Sequence, residues 1–140
     1  MNKLANVIPL NIAAWDKECT LRLYVGRGNV RNHYLKGRGW SSVKRKVSSE
    51  SVSVYAKPLD DVLEELEIAH VDWIKIDVEG SEHEVLKGLS RTIKCCRPKL
   101  LVESTNDYFQ LQTFGEKFGY GLRKIAPSYY LVYSLARSIE

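Results

Sequence analysis

Two acidic side chains stand close together where an apolar segment of the sequence gives way to a glycine. Asp77 ends the segment 71–77, and Glu79 directly precedes Gly80. Carboxylates at this spacing could act as a general base, clamp a ligand or supply half of a metal site. The structural alternative is that Asp77 bonds only to loop amides and that Glu79 is solvated. Glu103 ends the next apolar segment and is a third candidate of the same kind.

Histidines, cysteines and paired glycines give weaker signals. The three histidines have no metal-ligand spacing with one another or with a cysteine, so we expect no metal site. The three cysteines are an odd number, and the adjacency of Cys95 and Cys96 argues against a disulfide framework. None of the glycine pairs continues into the third glycine of a dinucleotide-binding loop. The carboxylates are therefore the residues whose placement matters most.

Apolar patterns predict the strands that must position these carboxylates. Short apolar runs favour buried strands, and alternation of polar and apolar residues favours half-exposed ones. The first two predicted strands could form a hairpin or be neighbours in a sheet, and the last two flank the hairpin signal Ala126-Pro127-Ser128. The predicted strands cover residues 7–14, 20–25, 52–56, 71–77, 100–104, 121–125 and 129–135.

Three segments between these strands have the periodicity of helices. The first is predicted to start at Pro58, with Asp60 and Asp61 in a first turn whose dipole they complement. The second follows the capping-box pattern of Ser81 and Glu84. Its inward-facing residues continue as far as position 93, and the third helix covers residues 107–118.

The alternation of strands and helices predicts the fold class. We expect an α/β fold with a mainly parallel sheet that ends in a C-terminal antiparallel hairpin. In an open sheet of this kind, ligands bind outside the carboxyl ends of the strands. Asp77, Glu79 and Glu103 are all predicted to stand there.

The positive charge of the sequence is concentrated in one segment. The 140 residues have a formal net charge of +4. Residues 19–49 contain eight basic residues and no acidic one, so the rest of the chain is net negative. We predict a basic loop over residues 26–51 within a single domain that spans residues 1–140. This loop could bind nucleic acid or another phosphorylated ligand, or it could be an ordinary solvated surface.

The composition favours a globular protein of the cytoplasm. With 44% hydrophobic residues the chain can bury a core, which excludes a disordered or fibrous protein. No run approaches the ~20 apolar residues of a membrane span, and the N-terminus lacks the layout of a signal peptide. We therefore expect a cytoplasmic protein that makes no membrane contact.

Four short motifs, taken in order, resemble the signature of FkbM-type methyltransferases. Weaker similarity reaches back to Asn11, forward to Tyr120, and includes a loop of small residues at 39–43. The resemblance therefore extends over nearly the whole chain. The motifs are LDDVL at 59–63, VDWIKIDVEGSE at 71–82, EVLKG at 84–88 and PKLLVE at 98–103.

This resemblance implies a fold, a reaction and a set of site residues. The implied fold is the Rossmann-like sheet of class I methyltransferases, and the implied reaction uses S-adenosylmethionine to methylate a hydroxyl on a sugar or small molecule. By this similarity, Asp77 and Glu79 would be catalytic, with Asp77 orienting the hydroxyl or taking its proton. The implied cofactor-binding residues, near the adenine, are Ala13, Ala14 and Asp16, and the implied substrate-binding residues are Ser41, Ser42 and Glu103.

One part of the family pattern has no counterpart in the sequence. FkbM-type enzymes begin with a strand and a glycine-rich loop that hold the cofactor, followed by a second strand, and all of these would precede Asn6. We therefore expect a sheet that lacks its first two strands and has unpaired edges. This expectation supports an alternative function, a non-catalytic binding or assembly module whose sheet is completed by a partner chain or a second copy.

Overall fold

Helices and strands alternate in the computed structural model, which describes residues 6–24, 51–78, 80–104 and 108–135. The predicted α/β class is confirmed. The strands are β1 (Ala13–Ala14), β2 (Cys19–Tyr24), β3 (Ser51–Lys57), β4 (Trp73–Ile76), β5 (Lys99–Glu103), β6 (Tyr120–Ala126) and β7 (Tyr129–Ser134). The helices are α1 (Leu59–Glu65), α2 (Glu82–Lys87), α3 (Ser90–Cys96) and α4 (Tyr108–Phe118).

The described strands form two mixed sheets, which corrects the prediction of a mainly parallel sheet. The first has three strands in the order β1-β3-β2, and the second has four in the order β4-β5-β7-β6. Among the described strands, only the β1–β3 and β4–β5 pairs are parallel, because β2 returns antiparallel beside β3 and the β6–β7 hairpin adds antiparallel pairs. The predicted hairpin is confirmed, and its second strand lies next to β5.

The N-terminal strand is shorter than the sequence pattern predicts. The apolar run from 7 to 14 forms a strand only at Ala13 and Ala14, and the residues before it are exposed. Val7 and Ile8 are 56% and 65% exposed, so in the described chain no neighbour covers them. Strands β1 and β2 are also not paired with each other, because β3 lies between them.

Helices cover one face of the four-stranded sheet. Ile76, Val102 and Val132 are buried on this face, in one cluster with residues of α2, α3 and α4. Because side chains alternate across a strand, the residues next to them point to the opposite face. That face is more open among the described residues, and Trp73 on it is 58% exposed.

The predicted second helix is broken in two at Gly88. A Cβ atom at this position would lie 2.1 Å from the carbonyl oxygen of Trp15, so only glycine allows this close approach. The carbonyl of Gly88 accepts the amide of Asp60 at 2.9 Å. The break between α2 and α3 therefore arises from contacts with distant segments, which local periodicity does not reveal.

The predicted capping box at the start of α2 is wrong. Ser81 makes no capping hydrogen bond, and its buried Oγ has no hydrogen-bond partner in the residues that the structure describes. Instead, the amide of Gly80 donates to Oε1 of Glu82 at 2.9 Å. Gly80 has φ +97°, a left-handed conformation that favours glycine, so the chain turns before the helix begins.

A carboxylate of α1 caps the neighbouring helix α3. Leu89 precedes α3 and offers no side-chain acceptor. Asp60 takes this role, since it accepts the amides of Arg91 and Thr92 at 2.7 and 2.9 Å and the hydroxyl of Thr92 at 2.7 Å. These bonds satisfy helix N-terminal donors that would otherwise lack partners. None of the helices in the described ranges is long and apolar enough to cross a membrane.

Candidate functional site

Three strands bring polar side chains to one end of the four-stranded sheet, where the parallel strands β4 and β5 finish. Asp77 directly follows β4, Glu103 is the last residue of β5, and Tyr129 is the first residue of β7. Ile76 pairs with Val102 in the parallel ladder, so Asp77 lies one step beyond that pair, level with Glu103. Glu103 in turn pairs directly with Tyr129. The carboxyl ends of the two parallel strands and the start of the hairpin strand therefore meet here.

These side chains point to the open face of the sheet. Ile76 and Val102 are buried under the helices, and side chains alternate along each strand. Lys75, Asp77 and Glu103 consequently share the opposite face. The side chain of Asp77 is 37% exposed and that of Lys75 is 56% exposed, so a ligand in solution can reach both.

Two hydrogen bonds organise the cluster. The ammonium of Lys75 donates to Oδ2 of Asp77 at 2.8 Å, which is also an ion pair. The phenol of Tyr129 donates to Oε2 of Glu103 at 2.7 Å. The amide of Ser104 donates to the carbonyl of Ser128 at 2.7 Å, which fixes the hairpin turn beside the end of β5. We call Lys75, Asp77, Glu103 and Tyr129 the strand-end cluster.

The four groups also interact electrostatically. The hydrogen bond to Glu103 is the main cause that raises the pKa of the Tyr129 phenol above its ordinary value; Asp77 raises it further and Lys75 opposes the shift. The hydrogen bond to Asp77 raises the pKa of the Lys75 ammonium, and Tyr129 and Glu103 add to this effect. At neutral pH the phenol therefore stays a donor and the ammonium stays charged.

The structure brings together two of the candidate residues and adds two that sequence reasoning missed. Asp77 and Glu103 lie in one cluster, as their positions at strand ends predict. Lys75 and Tyr129 were not predicted, although each stands at an alternating strand position on the same face as a candidate carboxylate. Glu79, Ser41 and Ser42 lie outside the described residues, as does most of the basic loop, so their roles stay predictions.

The residues predicted to hold the cofactor lie in the other sheet. Ala13 and Ala14 form β1, and the amide of Trp15 donates to the carbonyl of Lys57 at 3.1 Å, next to the parallel strand β3. Oδ1 of Asp16 is buried and has no hydrogen-bond partner in the described ranges. A buried acceptor of this kind is suited to a donor from a ligand.

Metal-binding groups are not assembled in the part of the chain that the structure describes. No group of three or more histidine, cysteine, aspartate or glutamate side chains there could hold a metal ion. All three cysteines are free thiols. The chemistry that can be argued from the described residues is therefore that of carboxylates, a phenol and an ammonium group.

A comparison with models of protein families identifies the family of this chain. The sequence profile of the methyltransferase FkbM domain matches residues 4–121. Among solved structures, the crystal structure of the methyltransferase FkbM from Methylobacillus flagellatus KT is similar, with a TM-score of 0.44 and 28% sequence identity. The similarity covers 58% of this chain and 23% of that protein's length. A comparison with curated proteins found no match.

Proposed function

Because the chain belongs to the FkbM methyltransferase family, we propose that it takes part in S-adenosylmethionine-dependent methylation of a hydroxyl on a sugar or other small molecule. The strand-end cluster supports this proposal most directly. A hydroxyl acceptor must be oriented and must lose its proton, and carboxylates at the ends of neighbouring strands can do both. Under this proposal the fold is a Rossmann-like methyltransferase sheet and the protein acts in the cytoplasm.

Asp77 is proposed to orient the acceptor hydroxyl and to take its proton. The carboxylate is partly exposed, and its ion pair with Lys75 keeps one oxygen in place. Glu103 is proposed to bind the acceptor from the neighbouring strand, fixed by the phenol of Tyr129. The predicted roles of Glu79, Ser41 and Ser42 belong to the same proposal. S-adenosylmethionine, when bound, would supply the electrophilic methyl group.

The adenine of the cofactor is proposed to bind beside Ala13, Ala14 and Asp16. The buried Oδ1 of Asp16, without a partner among the described residues, fits the exocyclic amino group of adenine, which is a hydrogen-bond donor. Asp16→Asn tests this assignment, because its amide can present a donor where the carboxylate only accepts.

Calorimetry with S-adenosylhomocysteine on the 140-residue chain tests the cofactor part of the proposal. We expect measurable heat and a higher melting temperature at saturating ligand, because a ligand that binds only the folded state stabilises it. Asp16→Asn should weaken the binding. Absence of both heat and stabilisation at millimolar ligand would remove the claim that this polypeptide alone is a methyltransferase.

A second candidate function is a non-catalytic assembly module, and the free edge of β4 favours it. In the described sheet, β4 pairs on one side only, with β5. The amide of Lys99 donates to the carbonyl of Asp72, so the backbone groups of Trp73 and Lys75 point away from β5. Unpaired edges of this kind accept a further strand.

A second copy of the chain is the partner that this edge suits. If two β4 strands pair antiparallel around Ile74, Trp73 of one copy lies opposite Lys75 of the other. Trp73 already accepts a cation over its ring, since Nζ of Lys99 is 5.1 Å from its centroid. The pairing would therefore place the Trp73 ring of each copy opposite the Lys75 ammonium of the other, on both sides of Ile74.

Sedimentation at increasing concentration tests the assembly module. We expect a dimer. We expect Trp73→Lys to remain a monomer, because a lysine on an edge strand disfavours pairing with a further strand. Phe109→Lys is the matched control, since Phe109 is 79% exposed but lies on α4 and not on β4. A chain that stays monomeric at all concentrations would exclude pairing of two copies.

A further inference from the structure

We infer that Tyr129 is a positioning residue of the acceptor site, and that it acts by holding the carboxylate of Glu103 in place for the acceptor. This inference rests on the proposed function and adds to it a residue from outside the matched family domain, which ends at residue 121. The acceptor site would then be built from β4, β5 and the C-terminal hairpin together.

The geometry ties Tyr129 to Glu103 at three levels. The two residues are direct partners in the antiparallel β5–β7 ladder, so their side chains lie on the same face. Their side chains are joined by a 2.7 Å hydrogen bond. The turn that precedes Tyr129 is held by the hydrogen bond from the Ser104 amide to the Ser128 carbonyl. Both the backbone and the side chain therefore fix the phenol against the carboxylate.

The charges around the phenol suit a permanent donor. Glu103 and Asp77 both disfavour the phenolate, and Lys75, the cation that opposes them, is itself bound to Asp77. A phenol that remains protonated donates to the Glu103 carboxylate across the physiological range. A carboxylate fixed in this way can accept a hydrogen bond from an incoming hydroxyl without first rotating.

The arrangement divides the cluster into two pairs with different tasks. Asp77 is held by an ammonium and stands at the end of the parallel strand β4, where the proposed function places proton transfer. Glu103 is held by a neutral phenol and is assigned to substrate binding. Loss of the phenol should therefore affect acceptor binding, whereas loss of the Asp77 carboxylate should affect the chemical step.

Kinetics of Tyr129→Phe in the 140-residue chain test this division. With methyl α-D-glucopyranoside as the acceptor, we expect the KM for the acceptor to rise by roughly ten- to hundredfold, the effect of one hydrogen bond to a charged group. We expect kcat to change little.

A second readout does not depend on catalysis. The side-chain carboxyl carbon of Glu103, followed by ¹³C NMR, should shift when methyl α-D-glucopyranoside is added to the unmodified chain. In Tyr129→Phe the same shift should require a roughly ten- to hundredfold higher glycoside concentration. Tyr133→Phe is the matched control, because Tyr133 lies four residues further along β7 on the same face and packs against Gly121.

The outcomes separate this inference from the proposed function. If the unmodified chain transfers no methyl group but the glycoside response is present and depends on Tyr129, the methyltransferase proposal fails and the positioning role stands. If Tyr129→Phe matches the unmodified chain in both readouts, or if Tyr133→Phe has the same effect as Tyr129→Phe, the positioning role is overturned. A glycoside that elicits neither methyl transfer nor a carboxyl response overturns both.

Discussion

Two aspartates of this molecule have opposite environments. Asp60 is 8% exposed and accepts three hydrogen bonds from α3, two from amides and one from a hydroxyl. Asp77 stands at a strand end with 37% of its side chain exposed, paired with the ammonium group of Lys75, whose side chain is 56% exposed. Both lie next to a basic residue in the structure, yet only Asp60 is enclosed by groups of the fold.

The difference shows what each carboxylate is for. A buried carboxylate whose donors all come from the backbone and core holds two helices together, and a ligand cannot compete for it. A carboxylate at the end of a strand, held by a flexible side chain, adds little to stability but can exchange its contacts for those of a ligand. Burial and the origin of the donors thus separate a structural acid from a candidate site acid.

The strongest test of this comparison is the effect of Asp77→Asn on methyl transfer. We expect kcat to fall by about 10²–10⁴-fold, the usual contribution of a positioned general base. The thermal midpoint should hardly change, since the lost ion pair is at the surface. Rates with radiolabelled S-adenosylmethionine and a melting curve measure the two effects.

Asp72→Asn is the control for this prediction, because Asp72 flanks the other end of β4, is 81% exposed and pairs only with His70 among the described residues. The activity of Asp72→Asn should match that of the unmodified chain. A large loss of stability in Asp77→Asn would show that this carboxylate has a structural role like that of Asp60, and would contradict the contrast between the two aspartates.

Asp60→Asn should have the reverse effect, a loss of stability. The asparagine side chain has one acceptor oxygen in place of two and presents an NH₂ group to backbone amides, so we expect about 3 kcal/mol of destabilisation. Urea denaturation followed by circular dichroism measures it. Asp61→Asn is the control, because Asp61 bonds to the exposed guanidinium of Arg91 and is itself 45% exposed. Equal effects of the two substitutions would contradict the structural role of Asp60.

Gly88→Ala should weaken the same junction by a different route. The new methyl group would meet the Trp15 carbonyl oxygen at 2.1 Å, so either the 13–16 segment or the α2–α3 turn must move. Overpacking of this kind costs about 1–3 kcal/mol. The loss should appear in urea denaturation, while Lys87→Ala, on the exposed side of the same turn, should be close to neutral. An unchanged free energy of unfolding in Gly88→Ala would show that the contact between Gly88 and Trp15 can shift without loss of stability.

The sequence predicted those parts of the fold that depend on neighbouring residues. Alternation located β3 and the β6–β7 hairpin within one or two residues at each end, and the apolar runs located β4 and β5. The break at Gly88 was not predictable, because it depends on contacts with Trp15 and Asp60. The early apolar run was predicted as a strand in full because a pattern cannot tell whether a partner strand is present.

The candidate site was predicted in part for the same reason. Asp77 and Glu103 stand at the ends of apolar runs, which is a local signal. Tyr129 reaches Glu103 only because β7 lies between β5 and β6, an order that no short window of sequence reveals. Lys75 looked like an ordinary exposed strand residue, and only its 2.8 Å contact with Asp77 gives it a role.

The smallest expected effect is on the alkaline side of the stability profile. The pKa values of Tyr129 and Lys75 are raised in the folded chain, mainly by their hydrogen bonds to Glu103 and Asp77. The folded state therefore keeps protons that the unfolded state loses near pH 10, so the stabilisation is complete below that pH and declines as the pH rises through the folded-state values. Glu103→Gln removes the main cause of the Tyr129 shift and should make this decline shallower. Asp61→Asn is the control and should leave the decline unchanged, because Asp61 lies on α1, outside the strand-end cluster. Denaturation midpoints between pH 8 and pH 11 measure the slopes, and an unchanged slope in Glu103→Gln would show that the strand-end cluster does not couple its protons to folding.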